Sequence, residues 1–261
     1  MKITCFCNLK GGVGKSTLAY NFSEWLAANG RKVLLIDFDH QCSLSQTYGM
    51  FTNDATAYNI FSSNEIVQIR PIHENLDFIS GSPLLDQLEN ELVNRMNKEL
   101  LFLIWLQDNR EMIETYDHII IDCHPDFLTV TKNAILVSDF VICPIEPSKY
   151  GYLSKELFLN RFEVFQAEAV DVRTRETFVT AKPLFIGNRI RHNTKSSREF
   201  SEAIEKDNQV ITCIPEKELF NRSTLDSVPI VQMMTDDNYQ SENKFFIQLN
   251  NIFNQLISLI E

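Results

Sequence analysis

The amino-acid sequence predicts an α/β fold, a doubly wound and mostly parallel sheet with helices on both faces. Two observations predict it. Strand-like and helix-like stretches alternate along the whole chain. The strand-like ones, such as residues 32–37 (KVLLID), are apolar without a break, as strands buried on both faces should be. In such a fold ligands collect at the carboxyl ends of the strands.

Taken in order, residues 3–8 form a short β run that closes in a Gly-rich turn. Residues 15–29 place Leu18, Phe22, Trp25 and Leu26 on one helical face, and Gly30 follows as a C-terminal cap. Further strands are expected at 76–80, 118–122, 140–144, 183–187 and 210–214, and helices at 83–96, 154–169, 196–206 and along the C-terminal stretch. No internal repeat, low-complexity linker or break in composition divides the chain. Residues 1–261 therefore read as a single domain, with 240–261 a C-terminal docking helix. That helix carries a stripe of Phe245, Phe246, Leu249, Ile252, Phe253, Leu256, Ile257 and Ile260, but Lys244 is its only cation. Without basic residues there is little attraction to anionic lipid, and stable membrane association is not expected.

Composition narrows the function classes. Net charge is −11, from 24 basic and 35 acidic side chains, so any nucleic-acid contact needs a local basic patch. The longest apolar run, residues 100–106, has seven residues, against ~20 for a spanning helix. No signal peptide is visible, and the six cysteines form no CxxC pair; the expected location is the cytoplasm. Cys5 and Cys7 point to one face of a strand and read as core rather than as cluster ligands.

The decisive segment is Lys10-Gly11-Gly12-Val13-Gly14-Lys15-Ser16-Thr17, set between a strand and a helix. Three glycines let backbone N–H groups converge on phosphate oxygens, and the helix from Lys15 adds the positive end of its dipole. Lys15 can reach the β- and γ-phosphates, and the Ser16 hydroxyl can ligate Mg²⁺. At the end of the next strand Asp37 and Asp39 share one side by period-2 alternation. Residues 119–122 (IIID) form another buried strand, whose terminal Asp122 is the expected Mg²⁺ holder. No NKxD guanine motif occurs, so ATP is expected rather than GTP.

Leu9 stands where the usual phosphate loop has its first glycine. The variant KGGVGKST is similar, residue for residue, to the signature of the ParA/MinD family of deviant Walker A P-loop ATPases. The likeness runs from residue 3 to about 231. It implies a catalytic role for Lys10, which would cross a dimer interface to the partner's nucleotide, like an arginine finger worth ~10³–10⁵ in rate. It further implies that Asp39 positions the attacking water and that Asp37 supports the metal's water shell. Asn188, Pro215 and Glu216 resemble the adenine-contacting positions. His40 departs from the family's usual Pro, and Cys123-His124-Pro125 replaces a Pro-rich turn; His124 reads as a turn residue.

Among family members, the resemblance is nearest to short ParA-type plasmid or chromosome partition ATPases. Lys182, Arg189, Arg191, Lys195 and Arg198 fall in a stretch with no acid, and Lys217 and Arg222 lie in the next connection, so these could form a phosphate-tracking surface. The glycine turn begins at residue 10, so an N-terminal helix-turn-helix is not expected. The resemblance thus implies a homodimer on ATP binding, non-specific DNA binding, and a separate centromere-binding, ParB-like protein that stimulates slow hydrolysis on the nucleoid. A MinD-like membrane switch and a regulatory adaptor ATPase are the alternatives.

Overall fold

The computed structural model describes residues 1–62, 66–191, 195–204 and 207–261, without the side chains of 195, 196, 198, 201 and 203. Strands β1 (Lys2–Phe6), β2 (Val33–Phe38), β3 (Arg70–His73), β4 (Leu76–Ile79), β5 (His118–Cys123), β6 (Phe140–Ile145), β7 (Lys182–Ile190) and β8 (Val210–Pro215) make one sheet. Their order is β3-β4-β2-β5-β1-β6-β7-β8. Every pairing is parallel except the antiparallel β3–β4 edge. The seven expected strands are all present. The eighth, β3, reads RPIH; its proline and half-exposed face suit only an edge, which is why no apolar run announces it.

The helices are α1 (Lys15–Ala28), α2 (Ser43–Thr47), α3 (Leu88–Glu91), α4 (Leu101–Asp108), α5 (Arg110–Ile113), α6 (Thr129–Val137), α7 (Lys149–Glu168), α8 (Lys195–Ile204), α9 (Glu218–Leu225), α10 (Ile230–Met233) and α11 (Asn243–Ile260). Strand alternation divides the core in two. Leu34, Ile36, Phe38, Ile119, Ile121, Val141 and Cys143 face the layer of α4, α6 and α7. Val33, Leu35, Ile120 and Ile142 face α1 and the C-terminal helices. Cys5 and Cys7 are fully buried in the first of these layers, as core residues.

One expectation fails. Residues 83–96 do not form a single helix: a 3₁₀ turn, Pro83–Asp86, is followed by the one-turn α3. Only Leu85, Leu88 and Leu92 of this stretch are buried, whereas Val93 and Met96 are exposed. A stripe this short supports a single turn, and isolated turns are marginal. The apolar run 100–106 becomes α4 instead, with Phe102 packed 5.0 Å from Phe38.

Helix α11 spends its apolar face on the protein. Phe245, Phe246, Leu249, Ile252, Phe253, Leu256 and Ile260 are buried, and Phe253 meets Phe22 at 5.3 Å and Trp25 at 5.6 Å. Among the described residues no helix is long and apolar enough to cross a membrane. Phe253→Ala should lower stability by about 3–5 kcal/mol through the cavity it leaves. Urea unfolding measures this, and a loss under about 1 kcal/mol would show that α11 is not docked as described.

Candidate functional site

The loop between β1 and α1 is held in a conformation that only its sequence allows. Gly12 and Gly14 sit at φ +76° and +92°, the left-handed region that a Cβ disfavours. A Cβ on Gly14 would fall 2.5 Å from Asn188 Nδ2. That amide donates to the Val13 carbonyl at 2.8 Å. On the other side, buried Asn8 donates to the Pro144 carbonyl at 2.7 Å and accepts from the Lys10 N–H at 2.9 Å. Helix α1 then starts with no side-chain cap, so its first N–H groups and dipole end are available to an anion.

The carboxylates come from the neighbouring strands. β2 and β5 pair with Asp37 opposite Asp122, and both side chains are fully buried. Asp37 Oδ2 accepts from the Ser45 N–H at 3.0 Å and the Ser45 hydroxyl at 2.7 Å, while Oδ1 accepts from the Asp39 N–H at 3.1 Å. The Ser45 hydroxyl also accepts from the Gly81 N–H at 2.8 Å. Three of the acceptor positions of Asp37 therefore shape the loop after β2. Asp122 is the opposite case, since both its oxygens are buried without a hydrogen-bond partner.

Burial pushes the Asp37 carboxyl up to about 6, with the Asp39 charge adding and the Ser45 hydrogen bonds opposing. Burial likewise holds Asp122 well above the usual carboxylate range, reinforced by Asp37 and countered by the Ser16 hydroxyl and the Lys15 ammonium. An orphaned carboxylate beside a hydroxyl and an ammonium, at a phosphate-binding loop, fits Mg²⁺. Ser16 and Asp122 are the residues that would hold it, and the ion would neutralise phosphate charge.

Two clefts meet at this loop. One, of about 410 Å³, is lined by Gly12, Gly14, Lys15, Ser16, Asp39 and His124 among others. The second, of about 240 Å³, shares Gly14, Thr17 and Arg189 with it and adds Asn188, Pro215 and Glu216. The expected phosphate and adenine positions thus fall in adjoining spaces. Asp39 is nearly buried, and its Oδ1 accepts from the Gln41 N–H at 2.9 Å and lies 2.7 Å from His124 Nδ1. From the sequence His124 reads as a turn residue, with a catalytic base as the lesser alternative; the register of β2 on β5 brings it onto Asp39.

A family model described as an AAA domain matches residues 1–174, well over half of the 261-residue chain. The chain belongs to the ParA/Soj family of partition ATPases. It is 36% identical over 170 residues to the chromosome-partitioning ATPase Soj of Treponema pallidum, covering 64% of this chain and 65% of that protein. It is 34% identical over 158 residues to the chromosome partitioning protein ParA of Myxococcus xanthus, covering 58% and 54%. The chain thus spans between about half and two thirds of the length of these relatives. A plasmid partition protein of Borrelia burgdorferi B31, solved with AMPPNP, superimposes with a TM-score of 0.75 at 25% identity over 99% of both chains.

In this ParA/Soj-family chain the expected basic residues Arg189, Arg191, Lys217 and Arg222 are each paired with an acid. Glu146, at the end of β6, holds Lys10 Nζ at 2.8 Å and Arg189 Nη1 at 3.0 Å. Arg189 also donates to the Gly12 carbonyl, which braces the phosphate loop. Arg191 pairs with Glu216, Lys217 with Glu242 at 2.7 Å and Arg222 with Asp226 at 3.2 Å. The side chains of Lys195 and Arg198 lie outside the described residues. The acid-free stretch in the sequence is therefore not an acid-free surface. Asn8 and Glu146 are the residues sequence reasoning misses; each is an ordinary strand-end polar residue until the fold brings it to the loop.

The Asp37 shift gives a stability test. Its folded value lies above the ordinary 3.8, so folding favours the protonated form. The resulting cost is absent below about pH 4, accrues as pH rises to about 6 and persists above, reaching about 3 kcal/mol. Between those limits, the stability of Asp37→Asn relative to wild type should shift in the variant's favour by roughly that amount. A difference that is flat with pH would show that Asp37 titrates normally.

Proposed function

We propose that this chain is a ParA-type partition ATPase that binds Mg·ATP at the loop 10–17 and dimerises over it. The observation that carries this reading is the orphaned pair of Asp122 oxygens beside a glycine loop braced by Asn8 and Asn188. Backbone N–H groups of the loop and the Lys15 ammonium would hold the β- and γ-phosphates. Asn188, Pro215 and Glu216 line the cleft where the adenine would lie. Asp39, oriented by His124 at 2.7 Å, would position the attacking water.

Lys10 is proposed to act across a homodimer, in the partner's site. To do so it must leave Glu146, and a part-exposed ion pair of this kind is worth only ~0–1 kcal/mol. The latch is therefore weak enough to be released when a second chain and its nucleotide arrive. DNA binding without sequence preference is proposed for the surface carrying Arg191, Lys195, Arg198, Lys217 and Arg222. Its exposed ion pairs can be exchanged for phosphate partners at similarly small cost. A separate centromere-binding, ParB-like protein would stimulate hydrolysis, and the DNA-bound chain would sit on the nucleoid. The buried apolar face of α11 favours this reading over a membrane switch.

Lys15→Ala should weaken Mg·ATP binding by about 1.5–3 kcal/mol, roughly 10- to 150-fold, whereas Asp39→Ala should keep ATP affinity and lose ~10²–10⁴ in hydrolysis. Calorimetry and phosphate release measure the two, and unaltered turnover in Asp39→Ala would remove that residue from its role. The triple variant Arg191→Ala/Lys217→Ala/Arg222→Ala should bind DNA more weakly with ATP present. Its log–log salt dependence should be shallower by about 0.9 for each DNA phosphate that is no longer neutralised. Salt dependence identical to wild type would rule this surface out.

A further inference from the structure

Beside the phosphate loop lies a cluster of donor atoms that the nucleotide reading does not use as a set. Asp39, His40 and His124 bring a carboxylate oxygen and two imidazole nitrogens within 4.8 Å of one another. The two rings lie with centroids 3.9 Å apart at 36°, and His124 Nδ1 is 2.7 Å from Asp39 Oδ1. Of the four ring nitrogens, only His124 Nδ1 has a hydrogen-bond partner among the described residues.

The backbone brings the three residues together. β2 and β5 are in register through Phe38 and Cys123, so the residues that follow each strand emerge side by side. Their loops are tied by local hydrogen bonds, Gln41 N–H to Asp39 Oδ1 at 2.9 Å and Cys42 N–H to the Asp39 carbonyl at 2.8 Å. On the other loop the Asp126 N–H donates to the His124 carbonyl at 2.8 Å. Both histidines stand where the sequence departs from the pattern of the family it resembles.

Two imidazoles and one carboxylate are the wrong set for Mg²⁺, which asks for oxygen ligands in octahedral geometry. They suit a borderline ion of the zinc class, held by three protein ligands with a fourth position left to water. We propose that Asp39, His40 and His124 form a second cation site, for a zinc-class dication, separate from the Mg²⁺ seat at Ser16 and Asp122. An ion there ties the loop after β2 to the loop after β5. It also engages the Asp39 carboxylate, so Zn²⁺ slows ATP hydrolysis; that consequence, unlike the site, rests on the partition ATPase reading.

Cobalt reads the site directly, because Co²⁺ takes zinc positions and its visible d–d absorption reports coordination. Titration of the metal-free, nucleotide-free chain should show a single Co²⁺ bound in a four-coordinate spectrum and displaced by Zn²⁺. His40→Ala and His124→Ala, with folding checked by circular dichroism, should each weaken binding at least about tenfold. Lys15→Ala, which weakens the grip on nucleotide, should leave the spectrum unchanged. Absence of stoichiometric Co²⁺ binding, or undiminished binding by the His40→Ala/His124→Ala double variant, would overturn the site. So would a sulfur-to-cobalt charge-transfer band, which would place the ion on a cysteine. Co²⁺ binding as described with ATP turnover insensitive to Zn²⁺ would uphold the site and overturn the role given to Asp39.

Discussion

Asp37 and Asp122 stand opposite each other at the ends of adjacent buried strands, and the rest of the site depends on how the fold treats the two. Two ionised carboxylates in a low-dielectric interior repel each other and lose their hydration. Asp37 is satisfied from within, by Ser45 and the Asp39 backbone. Asp122 is left without such donors and has only Lys15 and Ser16 to lower its pKa. The same pair thus yields an organiser for the loop after β2 and an open seat for a cation.

The phosphate loop is held with two different strengths. Asn8 and Asn188 fix it through buried amide hydrogen bonds, which are costly to leave unmade. Glu146 holds Lys10 and Arg189 through part-exposed ion pairs, which are cheap to exchange. The cradle is accordingly rigid where a phosphate would rest, and releasable where a second chain would approach. The sheet order supports this division, because β1, β5 and β2 are central neighbours and their carboxyl ends cannot shift independently.

Much of this is legible in the chain. The apolar runs VLLI in β2 and III in β5 leave neither face polar, so the parallel sheet follows from the residue pattern. KGGVGKST places the phosphate loop because φ values of +76° and +92° at Gly12 and Gly14 are ones few other residues adopt. The 83–96 stretch misleads because apolar spacing records which residues could share a face, not how much core is available to cover them. The basic stretch is less bare than it reads, because Glu146 and Glu216 reach Arg189 and Arg191 from beyond it.

The sequence by itself determined the features that are local in the chain, namely strand runs, glycine conformations and the lysine and serine that begin α1. These depend on backbone sterics and on periodicity within a few residues. Tertiary structure alone decided which oxygen of which aspartate is free, which acid neutralises which base, and that the tilted rings of His40 and His124 meet beside Asp39. Those outcomes come from strand register and loop approach across separations such as 85 or 136 residues. Coulombic and hydrogen-bond energies vary over ångströms, a scale set by packing rather than by position along the chain.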